Sequence, residues 1–332
     1  MTKKPLLAVR DLQVSFRMKE KQLRAVQGVS FSVYEKEIVG IVGESGCGKS
    51  AMAKAIVRLL PPHSAIISGG AIYQDKNLFD LTEEEMRAVR GKEIGIIFQD
   101  PMTSLNPTMR IGEQILEGYL LHQKKRKTKE SIDYAIHLLE LVGIPQPDKR
   151  FYEYPHTLSG GMRQRVMIAI ALAAKPKLII ADEPTTALDV TIQAQILELM
   201  RQIKEKTGTS LIFITHDLSV VAGYCDRVLV MYAGKIIENA SVDQLFANPS
   251  HPYTKGLLKS IPRLDTTRDT PLIPIEGTPP TLTESLAGCA FCDRCSEQLP
   301  VCALETPTLK EQTEHHLVAC WNQENGNKNA TD

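Results

Sequence analysis

The chain has 332 residues, 43% hydrophobic and 23% charged, the composition of a soluble globular protein with room for one large domain plus a smaller one. Lysine plus arginine equals aspartate plus glutamate at 39 each, which leaves no basic footprint for nucleic acid. No apolar run reaches the roughly 18–20 residues of a bilayer-spanning helix, and no signal-peptide core follows residues 1–5, so the chain is expected on the cytosolic side.

Taken in order, residues 6–42 read as strands, since 12–16 and 29–33 alternate apolar and polar. Phe16 closes the first of these, suited either to core packing or to stacking on an adenine ring. The apolar run 38–42 reads as a short buried strand. It delivers Gly43, Glu44, Ser45, Gly46, Cys47, Gly48, Lys49 and Ser50, and a helix-forming stretch follows over 51–60. Strand, glycine-rich loop and helix make this pattern a phosphate cradle. Glycines let several N–H groups converge on one anion, and the helix N-terminus adds positive potential. Lys49 would reach the β- and γ-phosphates, and the Ser50 hydroxyl would ligate Mg²⁺.

Beyond Pro61 and Pro62, Gly69 and Gly70 suggest a turn, and Thr82 with Glu85 makes a capping box for a helix start. Residues 94–98 form another strand, with Gln99 at its end, suited either to a turn or to Mg²⁺ or an ordered water. From 111 to 143 the pattern is helical, with Ile132, Ala135, Ile136, Leu139 and Val142 on one face. The basic run from Lys124 to Lys129 reads as a solvated helix end or loop. Ser159 is an N-cap for a helix over 162–174, and the small residues around Gly161 form a second helix start able to bind an anion. The strand 178–183 ends in Asp182, a candidate Mg²⁺ ligand, and Glu183, a candidate general base. A helix over 190–206 and a strand over 211–214 follow, then His216, a candidate γ-phosphate contact. Residues 228–238 read as a hairpin and 241–247 as a short helix. Prolines 252, 262, 271, 274, 279, 280 and 300 mark the remainder as an extended tail.

These motifs occur in an order that resembles ATP-binding cassette ATPases. Residues 43–50 resemble the Walker A loop, Gln99 the Q-loop, 158–162 the signature, 178–183 Walker B, Ala187-Leu188-Asp189 the D-loop and His216 the H-switch. Residues 98–107, 251–258 and the cysteine tail are similar to ATP-binding subunits of dipeptide and oligopeptide importers, and related nickel-chelate importers share much of this. The resemblance implies an α/β cassette fold over 1–250 with a helical subdomain at about 109–160, and a Pro- and Cys-rich extension over 251–332. It further implies that Phe16 stacks adenine, residues 43–50 hold the phosphates, and Ser50, Asp182 and Gln99 serve Mg²⁺. Glu183 is then the base, with Gln99 and His216 assisting, while Ser159 and Gly161 contact ATP bound to an opposite cassette. One phosphate loop and one signature make half of each site. The implied partners are therefore a second homologous ATPase, two transmembrane permease subunits and, indirectly, an extracytoplasmic peptide-binding protein, with this chain peripheral on the cytoplasmic face of the membrane. A soluble cassette ATPase acting on DNA or ribosomes is the competing class, but no long heptad run and no second phosphate loop is present.

Five of the seven cysteines lie between Cys289 and Cys320, spaced C-x2-C-x2-C-x6-C with a distant fifth. Such spacing suits an iron–sulfur cluster or zinc. The family resemblance implies a [4Fe-4S] cluster on Cys289, Cys295, Cys302 and Cys320, with Cys292 an addition to the pattern. Cys47, inside the phosphate loop, is a candidate for oxidation that would block the phosphates.

Overall fold

The computed structural model describes residues 4–18, 21–123, 126–186, 188–261, 274–283 and 287–322. Ala187, part of the basic run at 124–125, and Pro262 and Pro271 lie outside them. The chain divides into two compact units, one built mainly from Asp80–Ile214, the other from Pro5–Ser32, Ile38–Phe79 and the chain beyond Thr215.

In the second of these, strand Ile38–Val42 is wholly buried, as its unbroken apolar run requires for a parallel strand covered on both faces. It pairs in parallel with Arg227–Tyr232, from Val39 opposite Arg227 to Val42 opposite Val230. Ala233 and Gly234, both at positive φ (45° and 81°), then turn the chain into the antiparallel strand Lys235–Ser241. Two consecutive positive φ angles give a turn whose twist matches the hairpin. The tail is more structured than its prolines suggest. It contributes helix Pro252–Lys259 and a hairpin, Lys310–Thr313 with His316–Val318, which pairs Val318 opposite Glu238 and so extends this sheet.

The same unit carries a second sheet of Gln22–Val33, Leu7–Arg17, Ala65–Tyr73 and Lys76–Asn77. The turn expected at Gly69 and Gly70 is absent; both lie within strand Ala65–Tyr73. Gly69 sits at φ 90° opposite the irregularity at Asp11, where a Cβ would fall 2.2 Å from the Asp11 carbonyl oxygen. The glycine accommodates a bulge rather than ending the strand.

In the other unit, Ile94–Ile97, Leu178–Asp182 and Ser210–Thr215 form a parallel sheet in that order. Helix Val190–Thr207 buries Ile196, Leu199, Met200 and Ile203, one face at the 3.6-residue period. The helical stretch after 111 is two helices, Ile111–Gln123 and Lys129–Leu141. The second turns Ser131, Ala135, Leu138 and Leu139 inward, so Ile132 and Ile136 stand at the margin of the face rather than at its centre. The capping box on helix Glu83–Val89 is present in both directions, the Glu85 amide on Thr82 Oγ1 and the Thr82 amide on Glu85 Oε2.

Candidate functional site

The phosphate loop leaves strand Ile38–Val42 and runs into helix Lys49–Ile56. Glycine is required at both ends of the loop by close backbone approach. A Cβ on Gly43 would lie 2.1 Å from the Met231 carbonyl oxygen, and one on Gly48, at φ 105°, 2.1 Å from that of Ala25. Lys49 is only 4% exposed. Its ammonium donates to the carbonyl oxygens of Gly43 (2.7 Å) and Glu44 (3.0 Å), so it lies over the loop with its charge satisfied by the backbone. The Cys47 thiol is buried beside it, 3.7 Å from Lys49 Nζ. Burial raises its pKa, with Lys49 opposing, which disfavours the thiolate form. Phe16 is half-buried near the end of strand Leu7–Arg17, paired opposite Ala65.

In the other unit, strand Leu178–Asp182 is fully buried and delivers Asp182, 3% exposed, and Glu183, 8% exposed. Glu183 turns the chain at φ 47°, the left-handed region that non-glycine residues rarely occupy. Its N–H donates to the Ile214 carbonyl at 3.0 Å, which holds the turn against the neighbouring strand. One carboxylate oxygen, Oε2, accepts from Gln99 Nε2 and from Thr186 Oγ1, both at 2.9 Å. Gln99 and Glu183, 84 residues apart, are thus brought together. Thr186 is a partner of the carboxylate that spacing did not reveal; its only signal was its place three residues beyond it. Ser159 caps helix Gly160–Leu172, accepting from the Met162 amide at 3.4 Å, and stands exposed with Gly160. Gly161 meets Ile192, which a Cβ would approach to 2.8 Å. Asp189 caps helix Val190–Thr207. His216, exposed at the end of strand Ser210–Thr215, belongs to the same unit as the phosphate loop.

The C-terminal segment grips the phosphate loop. Tyr253 Oη accepts the Glu44 N–H at 2.9 Å, and Arg294 forms a two-point ion pair with the Glu44 carboxylate. His251 fixes Tyr253: its Nδ1 caps helix Pro252–Lys259 through the Tyr253 N–H at 3.0 Å. Burial pushes the His251 pKa down to about 4, so the ring is neutral and can accept. Behind it, the fully buried Glu238 carboxylate takes His316 Nε2 at 2.7 Å and the amides of Ser250 and His251 at 2.8 and 3.0 Å. Burial acts to raise its pKa, and these hydrogen bonds outweigh it, leaving the group below its ordinary value.

Burial pushes the Cys289 thiol up to about 11, with Cys302, Cys320 and Cys295 acting in the same direction. Cys292 directs its thiol instead at Gln298 Oε1, 3.5 Å away. Thiolates are suitable donors for iron–sulfur or zinc. Among the described residues, however, no group of three or more Cys, His, Asp or Glu is set to hold a metal ion.

Residues 26–186 match the ABC transporter family, and residues 237–302 match the C-terminal region of oligopeptide/dipeptide transporters. The chain is 52% identical to the oligopeptide transport ATP-binding protein OppD of Bacillus subtilis, over 95% of this chain and 88% of that protein. It is 51% identical to the dipeptide transport ATP-binding protein DppD of the same organism, over 96% and 95%. Among solved structures it is similar to a dimeric ATP-binding cassette in a post-hydrolysis state bound to ADP and Pi (TM-score 0.64, 27% identity, 71% of this chain and 98% of that one). It is also similar to cbiO1 of Clostridium perfringens, part of an ABC transporter complex (TM-score 0.62, 27% identity, 74% and 92%). The mixed α/β fold is that of an ABC nucleotide-binding domain. With its phosphate loop, buried acidic strand end and signature helix in place, and about half its residues shared across nearly its whole length, the chain belongs to the ATP-binding subunits of peptide ABC transporters.

Proposed function

We propose that this chain hydrolyses ATP to drive uptake of short peptides through two transmembrane permease subunits. It works beside a second homologous ATPase, with an extracytoplasmic peptide-binding protein delivering the cargo. The observation that carries this reading is the half-identity to peptide-transport ATP-binding proteins across 95% of the chain, including the C-terminal segment. Among the described residues no helix is long and apolar enough to cross a membrane, which fits a peripheral subunit, here assigned to the cytoplasmic face.

In this reading residues 43–50 bind the phosphates and Phe16 stacks on the adenine. Ser50, Asp182 and Gln99 offer the oxygen ligands a hard cation such as Mg²⁺ prefers. Glu183 takes the proton from the attacking water, Gln99 orients the carboxylate, and His216 contacts the γ-phosphate. Ser159 and Gly161 serve ATP on the partner ATPase, which makes hydrolysis depend on pairing. Residues 1–250 act as the ATPase domain, with 109–160 as its helical part, and 251–332 as the transporter-specific extension. The test is reconstitution in proteoliposomes with the cognate permeases, partner ATPase and binding protein. Peptide-stimulated ATP hydrolysis and peptide accumulation are expected. Accumulation of a nickel chelate instead of peptide, or full hydrolysis by the isolated monomer, would overturn the reading.

The finer assignment is a [4Fe-4S] cluster on Cys289, Cys295, Cys302 and Cys320, supported by their spacing. Anaerobically purified protein should then carry iron and broad visible absorbance. Zinc, or no metal, by elemental analysis would refute it.

A further inference from the structure

Glu44 is the second residue of the phosphate loop, yet its contacts reach the far end of the chain. Arg294 Nη1 donates to Glu44 Oε2 at 2.8 Å and Nη2 to Oε1 at 3.0 Å, a fork-to-fork pair across 250 residues. The Arg294 side chain is 5% exposed. Its remaining donors are also used: Nε on the Glu276 carbonyl (2.8 Å), Nη2 on that of Ile275 (3.2 Å) and Nη1 on Tyr232 Oη (3.3 Å). Five N–H groups meet five acceptors, so the guanidinium has no donor left for a phosphate. The rings of Tyr232 and Phe291 lie beneath it, 5.8 and 5.9 Å away, and both also pack on Tyr253. Tyr253 in turn holds the Glu44 amide, and the Glu44 carbonyl takes Lys49.

The electrostatics give this arrangement a purpose. A loop that must accept a polyphosphate carries a carboxylate at its second position. Left alone, that charge would oppose the ligand. The arginine is rigid, buried and saturated, so it cancels the charge without competing for the nucleotide. We propose that Arg294, aided by Tyr253, is a positioning residue of the nucleotide site: through it the C-terminal segment neutralises Glu44 and holds its peptide in the anion-binding shape. The proposal rests on the assignment of the phosphates to residues 43–50.

The test compares R294Q, E44Q, R294Q/E44Q, Y253F and K49A in the full transporter, measuring KM for ATP and kcat. R294Q should raise KM about ten- to hundredfold, the scale of a lost charged hydrogen-bond pair, with kcat within about twofold. The KM increase in R294Q should depend on ionic strength, as an unpaired surface charge does. Adding E44Q should recover most of the affinity, because the orphaned carboxylate is gone. Y253F should raise KM about two- to tenfold. Wild-type affinity in R294Q, or no recovery in R294Q/E44Q, would overturn charge compensation; if R294Q does not assemble, an unchanged KM in Y253F would overturn the proposal. K49A separates the two readings: if it still binds ATP normally, the loop assignment fails and the role of Arg294 with it, whereas lost binding in K49A beside wild-type affinity in R294Q overturns the role of Arg294 alone.

Discussion

Glu183→Gln separates chemistry from folding at one atom. The carboxylate contacts from Gln99 and Thr186 converge on a single oxygen, each at 2.9 Å. An amide oxygen in that position accepts both, and the Glu183 backbone, at φ 47° with its N–H on Ile214, is untouched. The amide N–H₂ replaces the other carboxylate oxygen of a buried side chain, so the stability cost should stay within about 1–3 kcal/mol, that of one unmet polar group. The amide cannot take a proton from water at neutral pH, so the rate should fall by about 10²–10⁴-fold, the usual worth of a general base. That corresponds to about 3–5 kcal/mol in the barrier. The assay is single-turnover release of phosphate from ATP on this chain's phosphate loop, within an assembly whose partner ATPase has been inactivated. Chemical denaturation of the same preparation reads stability. ATP should remain bound and unhydrolysed. A rate within tenfold of wild type would remove Glu183 from the role of base. A loss of stability matching the loss of rate would make its role structural.

Three other outcomes follow from hydrogen bonds and close packing in the structure. His251 is neutral in the folded protein, with its pKa pushed down to about 4. An unfolded histidine protonates near pH 6.5, so the unfolded state gains protons first, and stability should decline as pH falls from about 6.5 to about 4, by on the order of 2–3 kcal/mol. His251→Asn keeps a capping acceptor and should flatten that slope in denaturation curves; an unchanged slope would exclude His251. Glu238→Gln sets an amide N–H₂ against the backbone N–H of either His251 or Ser250, and should cost about 1–3 kcal/mol in the same curves. Gly112→Ala places a Cβ 2.3 Å from the buried Phe151 ring and should cost about 1–3 kcal/mol, read as a lowered Tm.

Much of the candidate site was legible because its motifs are local. Loop, strand ends and caps each occupy a few consecutive residues, and the Thr82–Glu85 box or the Ser159 cap needs no knowledge of the rest of the chain. What escaped reading depends on distance or on small side chains. A glycine pair that serves a strand irregularity, as at Gly69, has the same spelling as one that makes a turn. The C-terminal hairpin offers only Leu317 and Val318 as strand-forming apolar residues, and the prolines before it point the other way. The pairing of Arg294 with Glu44 joins residues 250 apart, and nothing in either neighbourhood names the other.

That hairpin also decides how this end of its sheet meets the outside. Strand Lys235–Ser241 carries Ile236 and Ile237, and without cover its main chain would be a ready template for a neighbouring molecule. The outermost position is taken instead by the four residues Lys310–Thr313, of which Lys310, Glu311 and Thr313 are exposed. A short, charged rim disfavours strand addition at this border of the sheet.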